Sequence, residues 1–271
     1  MLGYKTMFIG LGALLVLATT ACRVNVGGFD LRPLEVDELR AESRVIDKEG
    51  VTASRATIAM SAGELTISGG AAELMDATFT YNVDEWTPQI SYATDDQQGN
   101  LAIRQPARAF DGIPTDEVRN SWQIKLNDDI PLDLNLELGA GVGELDLRDL
   151  TLERLAVKTG AGETKINLAG SSVPTLNIDA GVGSMTIDLT GEWQNDLKAL
   201  IRSGIGELTV KLPREAGVRV SVSQGMVTEL TTRGLTAKGQ SFVNEAYGQS
   251  PVTLDIELEG GIGQITLIQE S

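Results

Sequence analysis

The sequence predicts an all-β protein built as a β-solenoid, in which short coils of strand, turn and strand stack on one another. Three observations support this fold class: a phrase written four times between Leu134 and Leu212, a glycine in the middle of each copy, and apolar residues that alternate on both sides of it. Alternation with a period of two is the pattern of a strand with one buried face. A repeat of about 20 residues with one such unit indicates a solenoid.

The repeat is defined by four copies, LNLELGAGVGELDL, LAVKTGAGETKINL, LNIDAGVGSMTIDL and ALIRSGIGELTVKL. We align them on Gly143, Gly162, Gly183 and Gly206, which are 19, 21 and 23 residues apart. Glycine suits a tight turn because it reaches positive φ without a Cβ clash. Counted from this glycine, positions −5, −3, +2 and +4 are expected to face the core, and positions −4, +3 and +5 to face water.

Two arrangements are consistent with such units. The first is a single-stranded, right-handed β-helix-like solenoid with coils of about 20 residues. It is favoured because the same apolar register returns in coil after coil. The second is a series of antiparallel hairpins that forms a meander or a sandwich.

The chain begins with a predicted export signal, residues 1–21. One early cation, Lys5, is followed by an uncharged apolar run from Met7 to Ala18. A run of about a dozen residues is shorter than the roughly 20 that span a bilayer as a helix, but it suits the apolar region of a signal peptide.

The single cysteine of the chain, Cys22, is the predicted site of lipidation. The preceding residues, LATTA, together with Cys22 resemble the lipobox of bacterial lipoproteins, in which cleavage follows the small residue Ala21. The resemblance implies a diacylglycerol and an N-acyl group on Cys22, and several acyl chains hold a protein stably at a membrane. An ordinary secretory signal followed by a free cysteine is the alternative.

The region after the signal divides into three predicted parts. Residues 22–44 are a tether and a cap, and the stretch from Leu34 to Val45 is either a first strand or a short amphipathic helix. Residues 45–120 are an N-terminal portion, in which TIAMSAGELTI around Gly63 is a further copy of the repeat and Gly99 marks a half copy. Residues 121–271 are the repeated coils.

Three irregular stretches interrupt the repeat. Four aromatic residues between Phe79 and Tyr92 are expected to fill the end of the core, with a glycan-binding surface as the alternative. Residues 105–120, which carry prolines and charges, are predicted to be a loop. Residues 231–251 are predicted to be an insertion between a degenerate copy at Gly225 and the last copy at Gly263.

Composition excludes several classes of function. The net charge is −16, with 38 acidic and 22 basic residues, so the basic surface that nucleic acids require is missing. The chain has no histidine, which excludes Ser-His-Asp and Cys-His catalysis and zinc sites that contain histidine. The G-x-G phrases lie between predicted strands, where they are turns rather than phosphate loops. We therefore predict no catalytic residue, no metal ligand and no cofactor.

One polar row remains as a candidate site, formed by the residue that follows each turn glycine. In a parallel stack, Glu144 would lie beside Glu163, and such a pair could share a proton, bind Ca²⁺ or take part in glycoside chemistry. The simpler and favoured interpretation is that these side chains face water. The members of the row are Glu64, Asn100, Glu144, Glu163, Ser184, Glu207 and Gln264.

A resemblance to a known family rests on three phrases: AGELTISGG from Ala62 to Gly70, the W-x-P at Trp86, and GNLAI from Gly99. The N-terminal portion resembles the toast-rack N-terminal domain of bacterial envelope proteins. The later coils resemble LiaF-like and putative-adhesin β-solenoid regions, so the likeness covers roughly residues 45–271. It implies a β-helical domain outside the membrane with a role in envelope-stress sensing or in modulating signalling partners, and it implies no catalytic residue.

These observations predict a non-enzymatic, surface-exposed lipoprotein of the cell envelope that acts as a binding or scaffold module in stress sensing or adhesion. Its expected location is the outer side of the cytoplasmic membrane or the outer membrane, where the lipid anchor holds it. The expected partner is another envelope protein or a cell-wall polymer, and no nucleic acid. The alternative is a β-helical lyase or glycosidase that acts on polysaccharides, for which Arg104, Arg108 and Asp111 are the candidate cleft residues.

Overall fold

A computed structural model describes residues 25–26, 29–30, 36–106, 116–223 and 227–269. The predicted all-β solenoid is confirmed, because these residues form strands and turns with one short 3-10 turn at Asp84–Trp86. Cys22, Ala21 and Gly225 lie outside the described residues. No helix in the described part of the chain is long and apolar enough to cross a bilayer.

Eight strands form the N-terminal part. They are β1 (Asn25–Val26), β2 (Phe29–Asp30), β3 (Arg40–Ile46), β4 (Ala53–Ser68), β5 (Met75–Tyr81), β6 (Gln89–Asp95), β7 (Gln98–Arg104) and β8 (Asn120–Leu126). Of the two structures predicted for the stretch up to Val45, the strand is the one observed, from Arg40 onward.

Twelve more strands complete the fold. The central ones are β9 (Leu132–Asp146), β10 (Leu152–Asn167), β11 (Thr175–Asp179), β12 (Val182–Asp188), β13 (Leu197–Arg202) and β14 (Ile205–Leu212). The C-terminal ones are β15 (Gly217–Ser223), β16 (Val227–Arg233), β17 (Thr236–Lys238), β18 (Ser241–Val243), β19 (Thr253–Glu259) and β20 (Ile262–Gln269).

Six coils of the described part bend at a glycine, and the strands fall into two sheets that share this corner. Sheet 1 precedes the corner and has the order β6-β7-β4-β9-β10-β11-β13-β19-β15-β18-β17. Sheet 2 follows the corner and has the order β3-β5-β8-β4-β9-β10-β12-β14-β20-β16. Neighbouring coils pair in parallel, so the hairpin alternative is wrong for the stack itself. Antiparallel pairs occur at its two ends.

Each of these six coils places a glycine with φ between +133° and +141° at the corner. The coils meet so closely here that a Cβ atom on Gly183 would lie 1.9 Å from the carbonyl oxygen of Gly162. The same distance recurs at every later step of this row. The corner glycines are Gly63, Gly141, Gly162, Gly183, Gly206 and Gly263.

The alignment on Gly143 is wrong by two residues. Gly141, not Gly143, pairs with Gly162, and Gly143 pairs with Thr164 inside sheet 2. Because the error is an even number of residues, the predicted faces are still right. Leu145 and Leu147 are buried as expected, and Asp146 between them points outward.

The half copy at Gly99 is also placed differently from the prediction. Leu101 and Ile103 pair with Ala56 and Ile58 in sheet 1, before the corner rather than after it. The coil that contains Gly99 is split between β7, which pairs in sheet 1, and β8, which pairs in sheet 2. At its corner, the side chains of Gln105 and Asn120 form the hydrogen bonds to the backbone of the neighbouring coil. Gln105 Oε1 accepts hydrogen bonds from the backbone N–H groups of Ser61 (2.9 Å) and Ala62 (3.1 Å), and Asn120 Nδ2 donates to the Ala62 carbonyl (2.6 Å).

The buried faces of both sheets form one continuous apolar cluster. One row in sheet 2 runs Ile124, Ile67, Leu145, Ile166, Ile187, Val210 and Leu267. Of the four aromatic residues predicted for the core, Phe79, Tyr81 and Trp86 are buried, and Tyr92 is half-buried against it. Phe79 meets Trp122 edge to face with a centroid distance of 5.4 Å.

The coils do not stack in chain order at the C-terminal end. The last coil, β19 and β20, lies between β13 and β14 on one side and β15 and β16 on the other. The predicted insertion at 231–251 begins inside β16 and contains the short hairpin β17–β18, which covers the free side of β15. The C-terminal residues thus occupy an interior position in the stack.

Candidate functional site

The polar row predicted after the glycines lies along the outer edge of sheet 2, next to the corner. Its observed order is Glu64, Val142, Glu163, Ser184, Glu207 and Gln264. Asn100 is not a member, because it pairs with Arg55 in sheet 1. Acidic and neutral side chains therefore alternate among the first five members.

The expected pair of Glu144 and Glu163 is not formed. Glu144 pairs with Lys165, and Val142 is the residue beside Glu163. Lys165 Nζ lies 2.9 Å from Glu163 Oε1, and the hydrogen bond and charge of Glu163, with a further contribution from Glu144, raise the pKa of Lys165. A cation of the chain itself thus lies where the prediction placed two adjacent carboxylates.

The row is poorly suited to a metal ion. Its carboxylates lie two strands apart, about 9.6 Å between backbones, whereas the oxygens around Ca²⁺ lie about 2.3–2.6 Å from the ion. Within the described ranges, no group of three or more Asp, Glu, Cys or His side chains is placed to hold a metal.

A row of exposed aliphatic side chains runs beside these acids, and we call Val182, Ile205 and Ile262 the ridge. Each is the middle residue of a G-x-G corner, and the three lie on adjacent coils in register. Their exposed fractions are 54%, 53% and 42%. Val142, on the neighbouring polar row, adds a fourth exposed aliphatic side chain.

The other side of the corner carries charges that are paired with one another. Arg202 donates hydrogen bonds to Asp179 (3.1 Å) and Glu259 (2.7 Å) on the two neighbouring strands of sheet 1. These bonds raise the pKa of the Arg202 guanidinium. Glu207, beside the ridge in sheet 2, forms no ion pair within the described part of the chain. The surroundings of the ridge are therefore acidic on balance.

A cleft of about 680 Å³ opens on sheet 1 near Arg104, one of the residues predicted for an enzyme site. Lys158, Gln105 and Glu137 also line it, and Glu137 is the one carboxylate among its described lining residues. Hydrolysis of a glycosidic bond by the usual mechanism needs two carboxyl groups. Arg108 and Asp111, the other predicted residues, lie outside the described residues.

The ridge was missed by the sequence prediction, although a signal for it was present. The middle residue of successive corners reads Ala62, Ala140, Ala161, Val182, Ile205 and Ile262. The signal is the size of this middle residue, which grows along the chain although each G-x-G phrase by itself predicts only a turn. Only the parallel register shows that these residues form a single row.

Comparisons with known proteins agree with this architecture. A family model described as the N-terminal domain of toast_rack, DUF2154, matches residues 35–177 and 155–211. No protein of curated function matches the sequence.

Several solved structures are similar to this fold. A "putative cell adhesion protein" of Clostridium sporogenes shares 28% identity and has a TM-score of 0.67, over 86% of this chain and 100% of that one. A "putative adhesin" of Bacteroides fragilis shares 12% identity with a TM-score of 0.31, over 85% and 97% of the two chains. A further "putative adhesin", of Parabacteroides distasonis, shares 10% identity with a TM-score of 0.28, over 87% and 100%.

Proposed function

This chain belongs to the family of the N-terminal domain of toast_rack, DUF2154, and from that premise we propose that it is a non-enzymatic binding module of the cell envelope. The observation that carries the proposal is the ridge, where Val182, Ile205 and Ile262 form a continuous apolar row on the surface. Contiguous exposed apolar patches mark interaction sites, whereas isolated exposed apolar residues are ordinary.

The name of the Clostridium sporogenes protein supports an adhesion-like role. A stack of coils in which each coil contributes one strand to each sheet is suited to presenting a long surface to a partner. We propose another envelope protein as that partner, with a wall polymer as the alternative. A lyase or glycosidase has less in its favour, because the cleft beside Arg104 contributes a single carboxylate from its described residues.

The proposal places the module outside the cytoplasmic membrane, anchored by acyl chains on Cys22 after cleavage behind Ala21. Support comes from the sequence, in which the only cysteine directly follows the apolar signal. Several acyl chains are needed for stable anchoring, and the lipoprotein modification would supply them.

Intact-mass spectrometry of the full chain purified from membranes tests the anchor, with Cys22→Ser as the control. The expected product begins at Cys22 and carries added acyl mass, and the control lacks both. An unmodified mature chain from the wild-type gene would contradict the anchor.

Retention on isolated cell envelopes tests the binding role. We expect the folded chain without its lipid to be retained, and the double variant Ile205→Thr with Ile262→Thr to lose most of this binding. Threonine keeps the β-branched shape and therefore the strand propensity of isoleucine. Equal retention of both proteins would contradict a role for the ridge.

A further inference from the structure

The fold does not require apolar side chains at the positions of the ridge. The positions before and after each of its residues must be glycine, because a Cβ atom at Gly204 or Gly206 would lie 1.9 Å from a carbonyl oxygen of the preceding coil. The middle position points to solvent and has no such limit. The chain places alanine there in its first three coils and large aliphatic residues in three later ones.

The chain itself covers the same row at its N-terminal end. Ala62, the first middle residue, packs against a small cluster formed by Val83 and Trp86, with Val118 beside it. Trp86 is buried there on the short 3-10 turn. The other end of the row has larger apolar side chains and remains 42–54% exposed. At this end of the row, apolar side chains from another part of the chain therefore cover the middle residue of a corner.

The size of the ridge limits what can cover it. The ridge crosses three adjacent strands, so the backbones of Val182 and Ile262 lie about 10 Å apart. Three residues of an extended chain span the same distance. The apolar surface is at most a few hundred Å², whereas stable protein dimers bury about 1,200 Å² or more. A second copy of this chain packed ridge to ridge would fall short of that area.

The charge around the ridge selects the composition of the occupant. Glu207 follows Ile205 by two residues, just after the corner glycine Gly206, and forms no ion pair in the described part of the chain. Across the corner, Arg202 is shared by two carboxylates, Asp179 and Glu259. With a net charge of −16, the molecule attracts basic partners and repels acidic ones.

We propose that the ridge is the docking site for a short extended segment of another protein, in which aliphatic side chains alternate with lysine or arginine. The aliphatic side chains cover Val182, Ile205 and Ile262, and the basic ones lie over the acidic polar row. This inference deepens the proposed function and rests on it, since it names the chemistry of the partner that the ridge binds.

Methyl NMR of the folded chain without its lipid tests the proposal with three capped nine-residue peptides. One alternates lysine with valine, one glutamate with valine, and one lysine with serine. The expected result is a saturable shift of the Val182, Ile205 and Ile262 methyl signals with the lysine–valine peptide. Binding of the other two peptides should be at least fivefold weaker.

Matched variants assign the effect to the ridge. Ile205→Thr with Ile262→Thr should weaken binding of the lysine–valine peptide at least fivefold, while Val45→Thr, which changes a 56% exposed residue on β3, should leave it unchanged. Glu207→Gln should also weaken binding, and Glu215→Gln, in an exposed turn, should not.

Three outcomes would overturn the proposal: no shift with the lysine–valine peptide, equal binding of the glutamate–valine peptide, or full binding by the double threonine variant. Ridge shifts that follow protein concentration without any peptide would assign the ridge to a second copy instead, and would also overturn it. A failure here that leaves envelope retention dependent on the ridge would refute the partner's chemistry and not the binding role.

Discussion

Single residues at the corner set the steric limits of this fold. Gly141, Gly162, Gly183 and Gly206 combine a positive φ with a carbonyl oxygen of the neighbouring coil in the space where a side chain would begin. Gly143 has neither property. A Cβ atom there would lie 3.2 Å from the Thr164 side chain and 3.3 Å from that of Leu138, and both can move.

Alanine substitution separates these two kinds of glycine. Gly183→Ala should lower the free energy of unfolding by about 3 kcal/mol or more, because backbone atoms would have to shift. Gly143→Ala should change it by no more than about 1 kcal/mol, since only side chains must adjust. Urea denaturation followed by circular dichroism measures both, and equal losses would contradict the observed register.

The alternation of faces is tested by two neighbouring residues at the C-terminal end of β9, Asp146 and Leu147. Leu147 is fully buried, whereas Asp146 points outward and binds Arg148 through two hydrogen bonds of 2.8 Å. Leu147→Asp should cost about 4 kcal/mol or more in unfolding free energy, because it buries a carboxylate among apolar side chains. Asp146→Lys should cost about 1 kcal/mol or less, since it changes a surface ion pair. A reversed order in thermal denaturation would mean that the faces are exchanged.

At the scale of elements, charges of opposite sign connect neighbouring strands across the outside of sheet 1. The clearest set is Asp179 on β11, Arg202 on β13 and Glu259 on β19. This set also includes the place where the order of strands in the sheet departs from their order in the chain, because β19 and not β15 lies next to β13.

Replacing Arg202 tests this connection. Arg202→Gln should lower the melting temperature slightly at low salt, because two carboxylates then lie near one another without a cation. The difference from wild type should shrink in 1 M salt, where exposed charges are screened. Arg148→Gln is the matched control, since Arg148 lies in the turn after β9 and pairs with Asp146 of the same coil, only two residues away. A salt-independent loss in Arg202→Gln would indicate lost packing instead.

At the scale of the whole molecule, the order of the stack decides how the C-terminal part is held. The strands β15 and β16 reach the rest of the solenoid through β19 and β20. The strands β15 and β16 can therefore find these parallel partners only after the last strands of the chain are in place.

Hydrogen exchange can measure this dependence. Ile256→Ala in β19 removes a fully buried side chain and should cost about 2–5 kcal/mol locally. We expect faster exchange in residues 217–223 as well as in 253–259, with little change in 132–146. Ile58→Ala, in β4 near the other end of the stack, should speed exchange in residues 132–146 and change it little in 217–223 and 253–259. Unchanged protection of 217–223 in Ile256→Ala would contradict the interior position of β19.

The limits of sequence prediction follow from particular residues. The buried faces around Leu147 and Ile166 could be predicted because alternation is a local property of each strand. The Glu144–Glu163 pair was predicted wrongly because GAGVG contains glycines at both 141 and 143, and both keep the same faces. The ridge was missed because its three residues lie far apart in the chain and meet only through pairing.

The sequence by itself determined the unit of this protein, a strand, a glycine corner and a second strand, because φ preference and apolar alternation act within a few residues. Only the tertiary structure decided which units are neighbours, including the pairing of Gly141 with Gly162 and the place of β19 and β20 inside the stack. The physical reason is that every unit offers the same parallel edges and the same apolar face. The choice among neighbours therefore depends on packing and on connections that extend over the whole chain.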